Sequence, residues 1–480
     1  MHFSRYAAPA FAAAALIATP AMAQNAAPSA ADIAAMRQDL ENLRHDYDAR
    51  IAALEARLAQ AEAAEGNAQS ATQTAQAPAA PADQTAASTA PSTDQVVIPD
   101  QVTTDQSTVM AQAAPPPPAP AATTSQNAYN PGIAVALNGF YTAASKDTQG
   151  EPISGFATGD DIDRPARGFS LGESEVSFSA NIDPSLAGFM DFSIDSANQV
   201  SLEEAYIRST ALPNGFTIKA GRFLSGIGYL NERHAHDWSF SDAPLPYRAL
   251  LNTQLGDDGV QVRWLAPTDI YLEFGAEALR GEAYPASGAA DRGVGTYTAF
   301  VKTGSDINVS SSWLGGLSYL HSDAVDRIDA NGDLFNGHSD LGIVSGVYKW
   351  APNGNPTSRN LVVTGEYFYG RDQGRFNGVA LDQTHQGWYV QGVYQFIPQW
   401  SAGLRFSGLN ADDPGPLLAG TELDDMGHSP FDATALLEFD TSEFGRLRLQ
   451  YTHDESGPEA NNIAMLQYTV IYGPHGAHRY

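Results

Sequence analysis

His234 and His236 are separated by a single alanine, and in extended backbone residues two apart project to the same side. Neutral imidazoles at that spacing can share one metal ion, and tetrahedral zinc would take two further donors. The last eight residues, Gly473-Pro474-His475-Gly476-Ala477-His478-Arg479-Tyr480, offer a second pair. A Gly-Pro step after a strand lets such a tail bend from a wall toward an interior. His234, His236, His475 and His478 could converge on zinc, or each pair could trap a passing divalent cation. They could equally clip loop to tail, or only hydrogen-bond. No cofactor is otherwise required. A second pattern, Asp329-Ala330-Asn331-Gly332-Asp333, repeats the spacing of a calcium loop's first ligands, with Gly332 placed to make the turn. The glutamate that closes such a loop at its twelfth position is replaced by Asp340 and no flanking helices are expected, so a polar extracellular loop is the plainer reading. No nucleophile–base pair or catalytic signature is visible, and enzymatic activity is not expected.

Composition narrows the classes of function. The chain has 480 residues, 55 acidic against 26 basic, 43 glycines and no cysteine. A net charge of −29 argues against nucleic acid, whose phosphates would be repelled, and suits cationic solutes, which an acidic surface concentrates. The absence of cysteine removes disulfides and thiolate metal sites. No run of about 18 apolar residues follows the N-terminus, so a membrane-spanning helix is not expected.

The elements that would carry these residues fall into four stretches. Residues 1–23 read as a secretory signal: Arg5, an apolar run from Ala7 to Ala18, then Ala21-Met22-Ala23 before Gln24. Within 24–65, Ile33, Met36, Leu40, Leu43, Tyr47, Ile51, Leu54, Leu58 and Ala61 follow steps of three and four, with charged residues on the other faces. That is a heptad seam with one stutter, and it predicts a helical coiled coil serving as a periplasmic, trimerising stalk. Residues 66–126, rich in Ala, Pro, Gln, Ser and Thr, read as a disordered linker.

From 127 to 480 the text alternates with period two, and sixteen strands can be marked. Val176, Phe178 and Ala180 share one side of the second, Glu173, Glu175, Ser177 and Ser179 the other. Connections after even-numbered strands are short and those after most odd-numbered strands are longer and polar, which describes an outer-membrane barrel. Closure leaves no strand edge unpaired in lipid. Aromatics near strand ends, including Tyr348, Trp350, Tyr394, Phe396 and Trp400, suit an interfacial girdle, and a terminal Tyr480 resembles the assembly signal of outer-membrane proteins. The predicted fold is therefore an all-β transmembrane antiparallel barrel of about sixteen strands, preceded by a coiled coil and a disordered linker.

By strand count the insert 223–257 is the third outward loop, which in sixteen-stranded porins folds into the lumen. It carries Glu232, Arg233, Asp237, Trp238 and Asp242 beside the histidines, then Arg248, Asp257 and Asp258, a mixed set of charges able to set selectivity at a constriction. Inward side chains inferred from alternation include Glu173, Glu175, Arg263, Glu273, Glu366 and Arg405, with Lys219, Glu277, Glu438 and Arg448. Acids outnumber bases six to four in that set, which predicts a modest preference for cations.

Several blocks carry a family likeness: Gly168-Phe-Ser-Leu-Gly-Glu-Ser-Glu175, Lys219-Ala-Gly-Arg-Phe223, Gly226-Ile-Gly-Tyr-Leu-Asn231, His234-Ala-His236, Gln254-Leu-Gly-Asp-Asp-Gly-Val-Gln261, Trp264-Leu-Ala-Pro-Thr268 and His475-Gly-Ala-His478. With them, residues 130–480 resemble proteobacterial zinc-regulated outer-membrane receptors. More distantly, the Gly-Arg-Phe block and the heptads resemble phosphate-selective and sugar-specific trimeric porins. The resemblance implies a link to metal, zinc uptake above all. Such receptors are often labelled TonB-dependent, yet nothing in this chain resembles a plug domain or an energy-coupling box. The expectation is a bacterial outer-membrane channel for small solutes or metal ions, embedded in lipid, homotrimeric through coiled coil and barrel, with no nucleic-acid partner. A TonB-linked metal receptor and a structural anchor to the cell wall are the alternatives.

Overall fold

Strands whose inward residues are polar and outward residues apolar can satisfy a watery interior and a lipid exterior together, provided the sheet closes on itself. The computed structural model describes residues 131–473 apart from 197–198 and 289–292, and over these the sheet does close. In chain order the strands are β1 (Gly132–Ala144), β2 (Gly168–Leu171 with Ser174–Asp183), β3 (Leu186–Ile194), β4 (Val200–Ser209), β5 (Phe216–Leu224), β6 (Gly256–Leu265), β7 (Tyr271–Leu279) and β8 (Thr296–Asn308). They continue with β9 (Ser311–Ile328), β10 (Leu334–Trp350), β11 (Asn360–Phe376), β12 (Val379–Ile397), β13 (Trp400–Ala411), β14 (Phe431–Ser442), β15 (Gly445–Glu455) and β16 (Asn461–Tyr472). The two segments of β2 form one stave, because both pair with β1, at Gly139↔Leu171 and Val135↔Val176. Each strand pairs antiparallel with the next, and Leu137↔Val470 between β1 and β16 closes the ring. All sixteen strands fall where alternation placed them.

The outer face is apolar: Leu317, Val344, Leu404 and Leu449 are each more than half exposed. Rings meet near the ends of the short turns, where Phe216 stacks on Trp264 at 6.1 Å, Trp264 on Phe274 at 5.6 Å, and Trp400 lies 4.8 Å from Phe439. Amphipathic rings at one level are what a membrane interface selects.

Two expectations need correction. The connections after β9 and β11 are not long loops. β9 to β12 run 18, 17, 17 and 19 residues, well beyond the 9–11 or so that cross a bilayer, and their hairpins stand above the membrane. β11 and β12 are joined by Asn377-Gly378 alone, with φ of 49° and 80°, the backbone that a two-residue hairpin turn requires. The second correction concerns the helical part. Among the described residues there is no coiled coil, and no helix is long and apolar enough to cross a membrane. Among the described residues the one α-helix is short, α1 (Leu245–Leu251), and it lies in the loop between β5 and β6. The expected coiled coil at 24–65 falls outside the described residues, as do the signal and linker. Among the described residues the fold is the sixteen-stranded outer-membrane barrel, with no periplasmic stalk and no coiled coil to mediate a trimer.

Candidate constriction site

A sixteen-stranded barrel is wide enough to hold an aqueous channel, so what fills it decides what passes. The long connection 225–255 turns inward and is tied to staves all round the wall. At its start the Gly226 amide donates to Glu277 Oε1 of β7 at 2.8 Å, and the Ser225 hydroxyl donates to the same carboxylate. The Gly228 amide donates to Ser318 of β9 at 3.0 Å, and the Tyr229 amide to Glu366 Oε1 of β11 at 2.8 Å. Glu366, 3% exposed, also accepts from the Tyr247 hydroxyl at 2.8 Å and from Tyr389 of β12 at 2.6 Å. One carboxylate thus joins the start of the loop, its helix and two staves. Helix α1 is buried over its whole length and packs on β12 and β13, Pro246 lying where any side chain at Gly387 would stand.

Gly228 holds φ at 62°, and a Cβ there would lie 2.9 Å from Glu366 Oε1 and against the Tyr247 hydroxyl. Gly228→Ala is therefore expected to cost about 1–3 kcal/mol of loop docking. The checks are a lower melting temperature of the purified barrel and a noisier single-channel current.

Across the lumen the loop is fixed by buried charge. Arg164, from the first long loop (145–167), donates through Nε to Asp242 Oδ2 at 2.5 Å and through Nη2 to Asp432 of β14 at 3.1 Å, and it also contacts Asp454 of β15. Arg405 of β13 donates to Asp242 Oδ1 at 2.7 Å and to the Asp242 carbonyl at 2.6 Å. Arg248 Nη1 lies 4.0 Å from Asp454, so three cations balance three carboxylates. All six side chains are at most 5% exposed. Such a cluster holds its geometry because each charge, once desolvated, needs its partners. The first long loop shares this interior through Ile153, Phe156 and Ile162.

The histidine pair faces a wall of carboxylates. His234 Nδ1 lies 3.2 Å from Glu175 Oε2 of β2 and 3.5 Å from Asp191 Oδ2 of β3, while its Nε2 lies 3.1 Å from Glu204 of β4. His236 Nδ1 lies 2.8 Å from Glu175 Oε1, and the two imidazoles stack with centroids 5.8 Å apart. Glu175, Asp191 and His234 offer ligand atoms close enough together to hold one metal ion. Asp191 is 1% exposed, and its Oδ1 has no hydrogen-bond partner. Glu173 lies in the field of Glu175, Glu203 and Asp161. The wall of β2–β4 is thus acidic from the outer mouth inward.

Around the ring from this wall the surface turns basic. Lys302 of β8 donates to Glu232 at 2.7 Å, and Arg263 of β6 contacts Glu232 and lies 3.4 Å from Glu273. Lys219 Nζ rests 4.6 Å from the centre of the Tyr206 ring, and Arg233 lies 4.5 Å over Tyr229. A passage bordered by acids on one wall and by cations on another has a transverse field of the kind that sorts small ions and dipolar solutes.

Of the residues singled out from sequence, the structure gathers His234, His236, Glu175, Glu232, Asp242, Arg263, Glu366 and Arg405 at or around this loop. Trp238 is buried, its indole donating to the Arg233 carbonyl at 2.8 Å, and its own carbonyl accepts from Arg448 at 3.0 Å. Asp237 lies 3.8 Å from His236 Nε2. Two aspartates belong to β6 rather than to the loop. Asp257 accepts the Gly281 amide at 2.7 Å, and Asp258, on the opposite face, pairs with Arg222 at 2.8 Å. His475 and His478 lie outside the described residues. Asp191, Glu204, Arg164, Asp432 and Asp454 were not foreseen. Acids at inward positions of β3, β4, β14 and β15 were the available signal for four of them; Arg164 gave none.

No family model matches the chain. An uncharacterized protein of Aquifex aeolicus is 32% identical over 340 residues, 65% of this chain and 70% of that one. Among solved structures, a loop-deletion mutant of the outer-membrane protein OmpT of Vibrio cholerae is 12% identical, covers 72% of this chain and all of its own, and has a TM-score of 0.47. The anion-selective porin from Comamonas acidovorans is 9% identical over 71% of this chain and 98% of its own, at 0.45. The outer-membrane channel DcaP of Acinetobacter baumannii is 11% identical over 73% and 99%, at 0.44.

Proposed function

We propose that this chain, which belongs to one family with the uncharacterized Aquifex aeolicus protein, is a diffusive outer-membrane channel narrowed by its own inward-folded loop 225–255. It favours cations, and it holds divalent metal transiently where His234 meets Glu175 and Asp191. The observation that carries the reading is the placement of that histidine against the acidic wall of β2–β4. Donors around a tetrahedral zinc stand about 3.4 Å apart, and the His234–Glu175 and His234–Asp191 separations of 3.2 and 3.5 Å match that spacing. The acidic wall concentrates cations at the outer end, and the basic residues beyond it discourage a fixed, permanent complex.

Under a potassium chloride gradient the reversal potential should indicate potassium permeating several-fold better than chloride. Preference for chloride sinks the cation reading. A second reading, a metal transporter that opens only when energised, draws support from how completely loop 225–255 is tied round the lumen. It requires the isolated barrel to be electrically silent, whereas the diffusive reading requires discrete conductance steps.

A further inference from the structure

We propose that the outer mouth carries a calcium site, separate from the constriction, which ties the β9–β10 turn to the β13–β14 loop. Its ligands are Asp329, Asn331 and Asp333 from the turn and Glu422 from the loop. Ligand atoms of Asp329, Asp333 and Glu422 lie close enough to one another to bind a single ion. The turn has the start of a calcium loop, and the carboxylate that its own sequence lacks comes from a residue 89 or more positions further along the chain.

A cluster of acids is common at a surface, and two atoms set this one apart. Asp329 is only 8% exposed, and its Oδ2 has no hydrogen-bond partner. Glu422 Oε1 is likewise buried without a donor. Their neighbours have donors: Asp329 Oδ1 accepts the Asn331 amide at 3.0 Å and the Asp333 amide at 2.9 Å, and Asp333 Oδ1 accepts from Asn377 at 2.8 Å. Desolvating two carboxylate oxygens with no donor is costly, and a bound cation relieves it.

Oxygen ligands alone, three of them carboxylates, suit a hard cation; calcium completes its shell of six to eight with the Asn331 amide oxygen and water. The Asn331 side chain donates to Glu422 Oε2, and turning the amide about its last bond presents the oxygen instead. The consequence is mechanical. Leu418 and Leu423 already pack against Phe335 and Phe376 of the raised hairpins, with Ala157 of the first long loop among them, and the Ala330 amide donates to the Thr158 carbonyl at 3.0 Å. An ion at Asp329 and Glu422 fixes three outer loops at once.

The test is calcium chloride titrated into EDTA-stripped barrel in detergent, followed by calorimetry. The expected result is one ion per chain with a Kd of about 10⁻⁴–10⁻³ M, the range of extracellular calcium modules. Calcium should also slow proteolytic nicking within 412–430. Asp329→Asn with Glu422→Gln should weaken binding at least tenfold. Heat-modifiable gel mobility identifies folded barrel for every variant, and Asp333→Asn serves in place of the double change if that fails to fold. No calcium heat in the wild type, meaning the two carboxylates share a proton instead, overturns the proposal. Equal affinity in the wild type and the folded variant also overturns it.

Discussion

Replacing Arg164 by alanine is expected to release loop 225–255 from the far wall, at a cost of about 3–5 kcal/mol. The change leaves Asp242, Asp432 and Asp454 buried with Arg405 and Arg248 as their remaining cations, one short of balance. A buried carboxylate that loses its partner keeps its desolvation penalty, which is why truncating one side of such a cluster costs more than the cluster itself contributes. Asp242 is the point at which the loop joins this cluster, so its docking suffers first. Single-channel recordings should show larger and more variable steps, and the melting temperature should fall. Arg164→Lys restores charge but not the three-way fork of contacts, and should recover only part of the loss. Unchanged conductance in folded Arg164→Ala protein removes the cluster from any role in holding the constriction.

Replacing His234 by alanine is expected to lower the affinity for zinc by about 100-fold or more. Changing residues that merely orient a ligand costs 10–100-fold, and His234 is the only nitrogen donor in the three-residue cluster it forms with Glu175 and Asp191. Zinc added to the wild-type channel should interrupt the current, because an ion held at this wall blocks the passage while it stays. The variant should conduct without interruption at the same zinc concentration. His236→Ala, which removes a partner of Glu175 and no member of that cluster, should have the smaller effect. Equal block in both variants places the zinc elsewhere.

Much of this architecture was legible in the chain, for a physical reason. Within the membrane each strand must present opposite polarity to lipid and lumen, so all sixteen strands announced themselves by alternation. Above the membrane that constraint lapses. Around His321–Asp323 and Arg371–Gln373 both faces of the hairpins are polar, the alternation disappears, and the outer ends of β9 to β12 read as loops although their ladders continue to Ile328 and Phe376. The heptads at 24–65 led to a stalk that is not found among the described residues. At the site, the spacing of His234 and His236 was informative, and Glu175 and Glu366 could be placed in the lumen by counting. Their pairing with the loop could not, because which rung of β2, β3 or β11 faces which loop residue is set by how deep the loop dips. Arg164 was invisible for the same reason: only the folded path of the first long loop brings it to Asp242, 78 positions away. The missing calcium-loop glutamate was a similar case, since Glu422 is supplied through space.

If loop 225–255 is the constriction of a conducting pore, replacing 232–252 by a short Gly-Ser linker should change single-channel conductance in planar bilayers. The wild type is expected to show small, cation-selective steps that zinc interrupts, and the variant conductance several-fold higher with neither selectivity nor zinc block. Equal conductance in the two, with both proteins folded, would show that the loop is no constriction.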